Sequence, residues 1–405
     1  MFEQIRSNQL RSHLVVGLMG CLLVATGVAL GGGLGGGEGG LYVGGLVALA
    51  LWAVLWVVAV TSGDRILLAL SGATEIRKQD HPQLFNVVEE MTIAAALPKP
   101  PRVYVMDDPA PNAFATGRRP EDAAVTVTTG LLKILDRDEL QGVVAHEIGH
   151  VRNRDIRLMT TAGIMVGTVV ILAEVGRRAL FFGGGRRSRT SKGDGQAQLL
   201  MLVVSLAFMI LAPILAQLLY LALSRRREYL ADASGAVFTR YPEGLARALE
   251  KLGGSRTAPA KASRVTAPMF IVSPEKEPRR MAAKGGEGAS VFATHPPLAE
   301  RIRILRAMGG NAGLGAYEAA YRRATGKSVV GRRTLAEAQD VPAREPSAED
   351  GHEPEDELRR VREATDALLL SAGYQMVDCP CGARLKAPAS QVSRLSNCPR
   401  CGRPV

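Results

Sequence analysis

His146-Glu147-Ile148-Gly149-His150 decides the reading of this chain. Histidines four residues apart lie on one face of a helix, where both imidazoles reach a single metal ion. The glutamate between them turns toward the same point and can act as a base on a water held there. The stretch before it, Asp136 to Ala145, reads as a helix entry. Asp136 with Glu139 makes a capping-box-like start, and Leu140, Val143 and Val144 form an apolar stripe.

A metal site needs a third protein ligand. The best candidate is Glu228, in Ser224-Arg225-Arg226-Arg227-Glu228-Tyr229-Leu230-Ala231-Asp232. The long apolar run before it marks this segment as helical, so Glu228 and Asp232 share a face. Glu228 is expected to bind the metal. Asp232 is expected to accept the outward ring N–H of a ligating histidine and so hold its tautomer. The plain alternative is a solvated face of arginines and acids at a membrane boundary.

H-E-x-x-H is the signature of zinc metallopeptidases, and three further stretches join it. They are Ala110-Pro111-Asn112-Ala113-Phe114-Ala115-Thr116-Gly117, Ser224 to Asp232, and Thr294-His295-Pro296-Pro297-Leu298-Ala299-Glu300-Arg301-Ile302, while the motif itself continues as Val151-Arg152-Asn153-Arg154-Asp155. Together they make the chain resemble the M48 family of membrane zinc peptidases, and within it the HtpX group, over about residues 1–310. The resemblance implies a zinc-dependent endopeptidase of the bacterial cytoplasmic membrane that degrades damaged or misfolded membrane proteins. It also implies that His295 and Arg301 sit near the cleft, with His295 stabilising the oxyanion or occupying the open zinc position in a resting state. Asn112 would lie beside the substrate strand. Read as residues alone, the plain alternative for His295 is a helix entry before Pro296-Pro297, and Asn112 is equally a turn residue after Pro111.

Composition agrees with a membrane protein. The hydrophobic fraction of 47% is concentrated in four runs, and the net charge of +11 belongs mainly to their basic flanks, which meet anionic headgroups. The first two runs, Leu14 to Leu30 and Leu41 to about Val60, are joined by a Gly-rich hairpin without Lys or Arg. Arg6, Arg11, Arg65, Arg77 and Lys78 flank the pair, so both its ends and the catalytic domain are expected in the cytoplasm. The third run, Ile156 to Val175, holds Arg157 and Glu174, and the fourth spans Leu199 to Leu223. The hairpin between His150 and Glu228 must return to the side it left, by two crossings or none. The basic loop Arg177 to Lys192 argues against two clean crossings.

The expected fold is α+β and mainly helical: an integral membrane, zincin-like metallopeptidase with a C-terminal zinc ribbon. Its expected units are a transmembrane hairpin (1–62), a first catalytic half (63–155), a second apolar helix pair (156–223), a second catalytic half (224–330), a linker with a short helix (331–372) and a ribbon (373–405). Strands are expected at Arg102 to Met106, Asn112 to Thr116 and Ala124 to Thr128. Ala113 to Gly117 and Ala124 to Thr128 are candidates for the edge on which an extended substrate pairs, and a buried internal strand is an equal reading of either. His81 reads as a turn residue, and Gly253 to Ser290 as a mobile loop over the site.

Four of the five cysteines, Cys379, Cys381, Cys398 and Cys401, fall near the C-terminus in two pairs, each followed by glycine. Four thiolates make a closed, structural zinc site, with two disulfides or free thiols as the alternatives. The expected cofactors are one catalytic and one structural zinc, and the expected partners membrane lipid and misfolded membrane proteins. Nucleic acid is not expected, because few aromatics interleave with the basic residues. The rival reading is a catalytically inactive scaffold that recruits partners through the ribbon. The intact Glu147 argues against it, since holding zinc does not require that carboxylate.

Overall fold

The computed structural model describes residues 2–33, 37–182, 195–255, 257, 271, 295–347, 354–393, 395 and 397–404. The basic loop at 183–194 and nearly all of the glycine-rich stretch at 256–294 lie outside the described residues.

Four helices are long and apolar enough to cross a membrane: His13–Gly31, Glu38–Ser71, Thr160–Arg178 and Leu199–Leu219. They belong to α1 (Phe2–Gly31), α2 (Gly37–Ser71), α6 (Ile156–Phe182) and α7 (Gly195–Thr239). Helices α1 and α2 pack backbone to backbone. A Cβ on Gly44 would lie 2.2 Å from the Gly27 carbonyl, so only hydrogen fits at that crossing. Glu174, awkward in an apolar run, is neutralised within its own helix by Arg177 and Arg178 at 2.9 and 2.8 Å. Helix α7 runs past the apolar segment without a break and carries Glu228 and Asp232 into the polar domain.

That domain is built on a four-stranded sheet of β1 (Ala73–Glu75), β2 (Arg102–Met106), β3 (Ala113–Thr116) and β4 (Ala124–Thr128), in the order β1-β2-β4-β3. Strands β2 and β4 are parallel and the other pairs antiparallel. Side chains alternate across the sheet. Val103, Val105, Val125, Val127 and Ala113 enter the main core with α3 (Pro82–Ala94), α4 (Thr129–Ile134) and α5 (Arg137–Arg152). Tyr104, Met106, Phe114 and Ala124 pack with Leu68, at the end of α2. Helix α8 (Pro242–Gly254) and α9 (Leu298–Arg306) close the same core through Leu245, Leu249, Ile304 and Leu305.

Residues 331–347, expected as a linker, instead lie against the catalytic body. After α10 (Leu314–Thr325), the buried Glu318 accepts the N–H groups of Val329 and Val330 at 3.0 and 2.9 Å, and both valines enter the main core. A short α11 (Arg332–Ala336) follows, and Ala312 N–H pairs with the Val341 carbonyl. Helix α12 (Pro354–Ser371) packs on α4 and sends Ala364 into the core. The terminal unit is an antiparallel hairpin, β5 (Tyr374–Asp378) with β6 (Arg384–Pro388), followed by α13 (Ala389–Val392). Lys386 is paired with Asp366 on α12, so the hairpin is tied to that helix.

Candidate metal centre

Helix α5 starts as its sequence dictates. Asp136 accepts the Glu139 N–H at 2.8 Å and Glu139 accepts the Asp136 N–H at 2.9 Å, a complete capping box. Both histidines then fall on the face toward α7. The helices approach closely there, and a Cβ on Gly149 would sit 3.2 Å from the Ala231 carbonyl.

His146, His150 and Glu228 offer ligand atoms that all lie within 4.8 Å of one another. The two Nε2 atoms are 3.2 Å apart, and Glu228 lies 3.7 Å from His146 Nε2 and 3.5 Å from His150 Nε2. Each Nδ1 meets a carboxylate on its outer side: Asp232 at 2.9 Å from His146, and Asp155 at 3.1 Å from His150. With each Nδ1–H donated outward, both Nε2 lone pairs and a carboxylate converge on one buried point. A cation reconciles them, and the N₂O donor set suits zinc with a position left open.

Asp155 was not assigned a role from the sequence, although it lies in the quoted Val151–Asp155 run. Helix α5 ends at Arg152, and Arg154 takes φ +57°, which reverses the chain beneath His150. That turn brings Asp155, five positions on, into contact with the ring.

Arg301, fully buried, lies behind the ligand set. It donates to Asp232 from Nε at 2.8 Å and Nη2 at 2.6 Å, and to Glu228 from Nη1 at 3.2 Å. This forked geometry lets one guanidinium orient both carboxylates. Burial raises the Glu228 carboxyl, but His295, His150 and Arg301 outweigh it and hold the group well below the usual range. His295 Nδ1 is 3.0 Å from Glu228, and its Nε2 has no hydrogen-bond partner among the described residues. Tyr317, missed in the sequence, is fully buried near Asp232 and Arg301.

Glu147 is 3% exposed, and burial, with Glu228 nearby, pushes its carboxyl up to about 7. The nearby backbone of Ala115 on β3 offsets part of that rise. Since β4 is flanked on both sides, β3 is the edge strand beside α5. Asn112 pairs toward β4 through Thr128, so Ala113 and Ala115 turn their backbone groups outward. The Ile271 N–H reaches the Ala113 carbonyl at 3.1 Å, from within the stretch expected as a loop over the site. Asn112 stands at the start of β3, buried, with its side-chain oxygen accepting the Ala113 N–H at 3.1 Å.

The profile of peptidase family M48 matches residues 78–309, which include every one of these site residues except Tyr317. The chain belongs to peptidase family M48. It is 49% identical over 251 residues to a "Protease HtpX homolog" of Dictyoglomus thermophilum, covering 62% of this chain and 77% of that protein. A protein of the same name from Streptococcus gordonii is 39% identical over 308 residues, 76% of this chain and 100% of the relative. The crystal structure of Ste24p from S. mikatae overlaps 64% of this chain and 57% of its own at 19% identity and a TM-score of 0.37. This M48 peptidase is an integral membrane zinc metalloprotease, and the His146, His150 and Glu228 cluster on α5 and α7 could hold a metal ion.

A second cluster lies in the terminal unit. Cys379 and Cys401 have sulfurs 3.6 Å apart, and Cys381 and Cys398 3.9 Å apart, with all four within 4.8 Å. Disulfide sulfurs would be about 2.05 Å apart, whereas the edge of a tetrahedron with ~2.3 Å zinc–sulfur bonds is about 3.8 Å. Gly382 and Gly402, at φ +81° and +71°, turn back so that their N–H groups reach the Cys379 and Cys398 carbonyls. The four thiols therefore fit a tetrahedral zinc site.

Proposed function

We propose that this M48 peptidase is an HtpX-like endopeptidase of the bacterial cytoplasmic membrane, with its site on the cytoplasmic side, and that it hydrolyses damaged or misfolded membrane proteins. The observation that carries the reading is the convergence of His146, His150 and Glu228 beside a buried Glu147 and the edge strand β3. His146, His150 and Glu228 hold the zinc, Asp232 and Asp155 fix the histidine tautomers, and Arg301 orients Asp232 and Glu228. When bound, zinc supplies Lewis acidity at the scissile carbonyl and favours ionisation of water near neutral pH.

The protein's own residues do the remaining work. An extended substrate pairs along the outer edge of β3 by taking the place of Ile271 at the Ala113 carbonyl, and binds with little dependence on its side chains. Asn112 anchors that edge. Glu147, with a carboxyl near 7, takes a proton from the attacking water and hands it to the leaving amine. His295 donates from its unpartnered Nε2 to the developing oxyanion. The C-terminal cysteines hold a second, structural zinc, because four thiolates leave no place for water.

Glu147→Gln tests the assignment. It keeps all three ligands and removes the base. Metal analysis should find zinc retained, while cleavage of a misfolded membrane protein falls ~100-fold or more. Cleavage near the wild-type rate would overturn the mechanism.

A further inference from the structure

The segment that follows the family-matched region bridges the two helices that carry the metal donors. Asp138, in the first turn of α5, has a carboxylate with no exposed surface. It accepts from Arg344 Nη2, from the Ser347 N–H at 2.8 Å and from the Ser347 hydroxyl at 2.8 Å. The same guanidinium donates to Gln141 of α5 at 2.8 Å and, through Nε, to the Thr239 carbonyl that ends α7 at 3.1 Å. It lies 4.8 Å over the Tyr241 ring. Arg344 N–H bonds to the Arg240 carbonyl at 2.8 Å, and Arg240 Nη2 donates back to the Pro342 carbonyl at 3.0 Å.

We propose that Arg344 and Ser347 are positioning residues for the metal site, tying the start of α5 to the end of α7 and so fixing the spacing between the donors on the two helices. The proposal rests on the assignment of His146, His150 and Glu228 as zinc ligands. Near the ligands the helices touch at Gly149 against Ala231 and at Gly235 against His146. A single crossing lets two rods pivot. Asp138 lies eight residues before His146, about 12 Å along the axis, and a directional tie there supplies the second fixed point. Helix α8 also meets this end of α5, with Gly142 against Leu245 and Lys251 Nζ 2.6 Å from Glu139, whereas Arg344 bonds α5 and the last carbonyl of α7 through one guanidinium.

The tie belongs to a part of the chain outside the family match, which ends at residue 309. The S. gordonii relative is accounted for in full by 308 residues of this chain. The extension thus does more than carry the cysteine unit: it sets how firmly the active site grips its metal.

The test measures zinc release from the full-length protein in detergent with excess chelator, alongside the kinetics of peptide cleavage. The zinc at the cysteine cluster is common to every variant and cancels. Arg344→Ala should release the other zinc ~10-fold faster than wild type, lowering kcat with KM within about twofold. Ser347→Ala should fall between, and Arg344→Lys, which can pair with Asp138 but cannot fork to Gln141 and Thr239, should restore only part of the loss. Val330→Ala is the control: it opens the core within the same extension and touches neither end of the tie. If it releases zinc as fast as Arg344→Ala at a matched fall in Tm, the effect is general stability and the proposal fails. It fails equally if Arg344→Ala and Ser347→Ala hold zinc as wild type does. Should Arg344→Ala not fold, Ser347→Ala against Val330→Ala decides alone. A wild-type protein without zinc at this centre would instead overturn the ligand assignment beneath the proposal.

Discussion

At the scale of single residues, the histidines divide by their outer partners. His146 and His150 each meet a carboxylate at Nδ1, which leaves Nε2 for metal. His81 has no such partner. It reads in the sequence as a turn residue, and it caps α3 by accepting the Leu84 N–H at Nδ1, 3.2 Å away. Burial lowers its pKa from 6.5 to about 4. The folded protein therefore keeps His81 neutral between those values while the unfolded chain takes up a proton. The stability difference is absent above pH 6.5 and grows as pH falls toward 4, reaching on the order of 3 kcal/mol. Asparagine is a good cap that does not titrate. The Tm of His81→Asn should fall less steeply than that of wild type between pH 6.5 and 4.5, and parallel slopes would refute this account. His146 and His150 were legible from a four-residue spacing. Asp155 was not, because its contact depends on a left-handed turn at Arg154 that no periodicity announces.

At the scale of elements, helix packing around α5 decides whether the donors meet. A Cβ on Gly142 would lie 2.6 Å from the Leu245 nitrogen and 2.8 Å from its Cα. Alanine in a helix interior gains about 1 kcal/mol over glycine, whereas overpacking a rigid contact costs about 1–3 kcal/mol. Both clashing atoms are backbone, so the loss should win. Gly142→Ala should lower Tm in a thermal melt, and a rise in Tm would mean that α8 moves aside at little cost. The strands carry a different lesson. Arg102 to Met106 and Ala124 to Thr128 appear as read, and the remaining strand is Ala113–Thr116, one residue shorter at its start than expected. The choice of substrate edge stayed open in the sequence. Every residue of β3 and of β4 is buried, so neither shows the exposed face that would mark an edge. Strand order places β4 in the interior and β3 at the rim, which supports β3 as the proposed edge.

At the scale of the whole molecule, four apolar helices carry a soluble catalytic body to which the C-terminal extension is fastened. A cut after Ser371 would keep the Arg344 tie and the packed α12 and remove the four cysteines. That truncation should lower the zinc content from two to one per chain and spare cleavage of a short unstructured peptide. Two zincs retained would disprove the cysteine site, and lost peptide cleavage would mean that the terminal unit supports the active site directly. A cut near residue 345 is a different experiment, because it removes Ser347 from Asp138. Local patterns by themselves determined the helix that carries His146 and His150, the apolar helices, the shared helix of Glu228 and Asp232 and the spacing of the cysteine pairs. Each rests on a period or a spacing of a few residues, which the geometry of a helix or a tight turn converts directly into position. Tertiary structure alone decided that Arg301 lies behind Glu228 and Asp232, that Asp155 backs His150, that Ile271 meets Ala113, and that Arg344 joins α5 to α7. Two of these contacts, Arg301 with Glu228 and Ile271 with Ala113, join residues far apart in the chain; Arg344 reaches Asp138 of α5 across 206 positions. They form because a buried charge or backbone group must find a partner once water is excluded, and nothing in the local sequence says which distant residue will supply it.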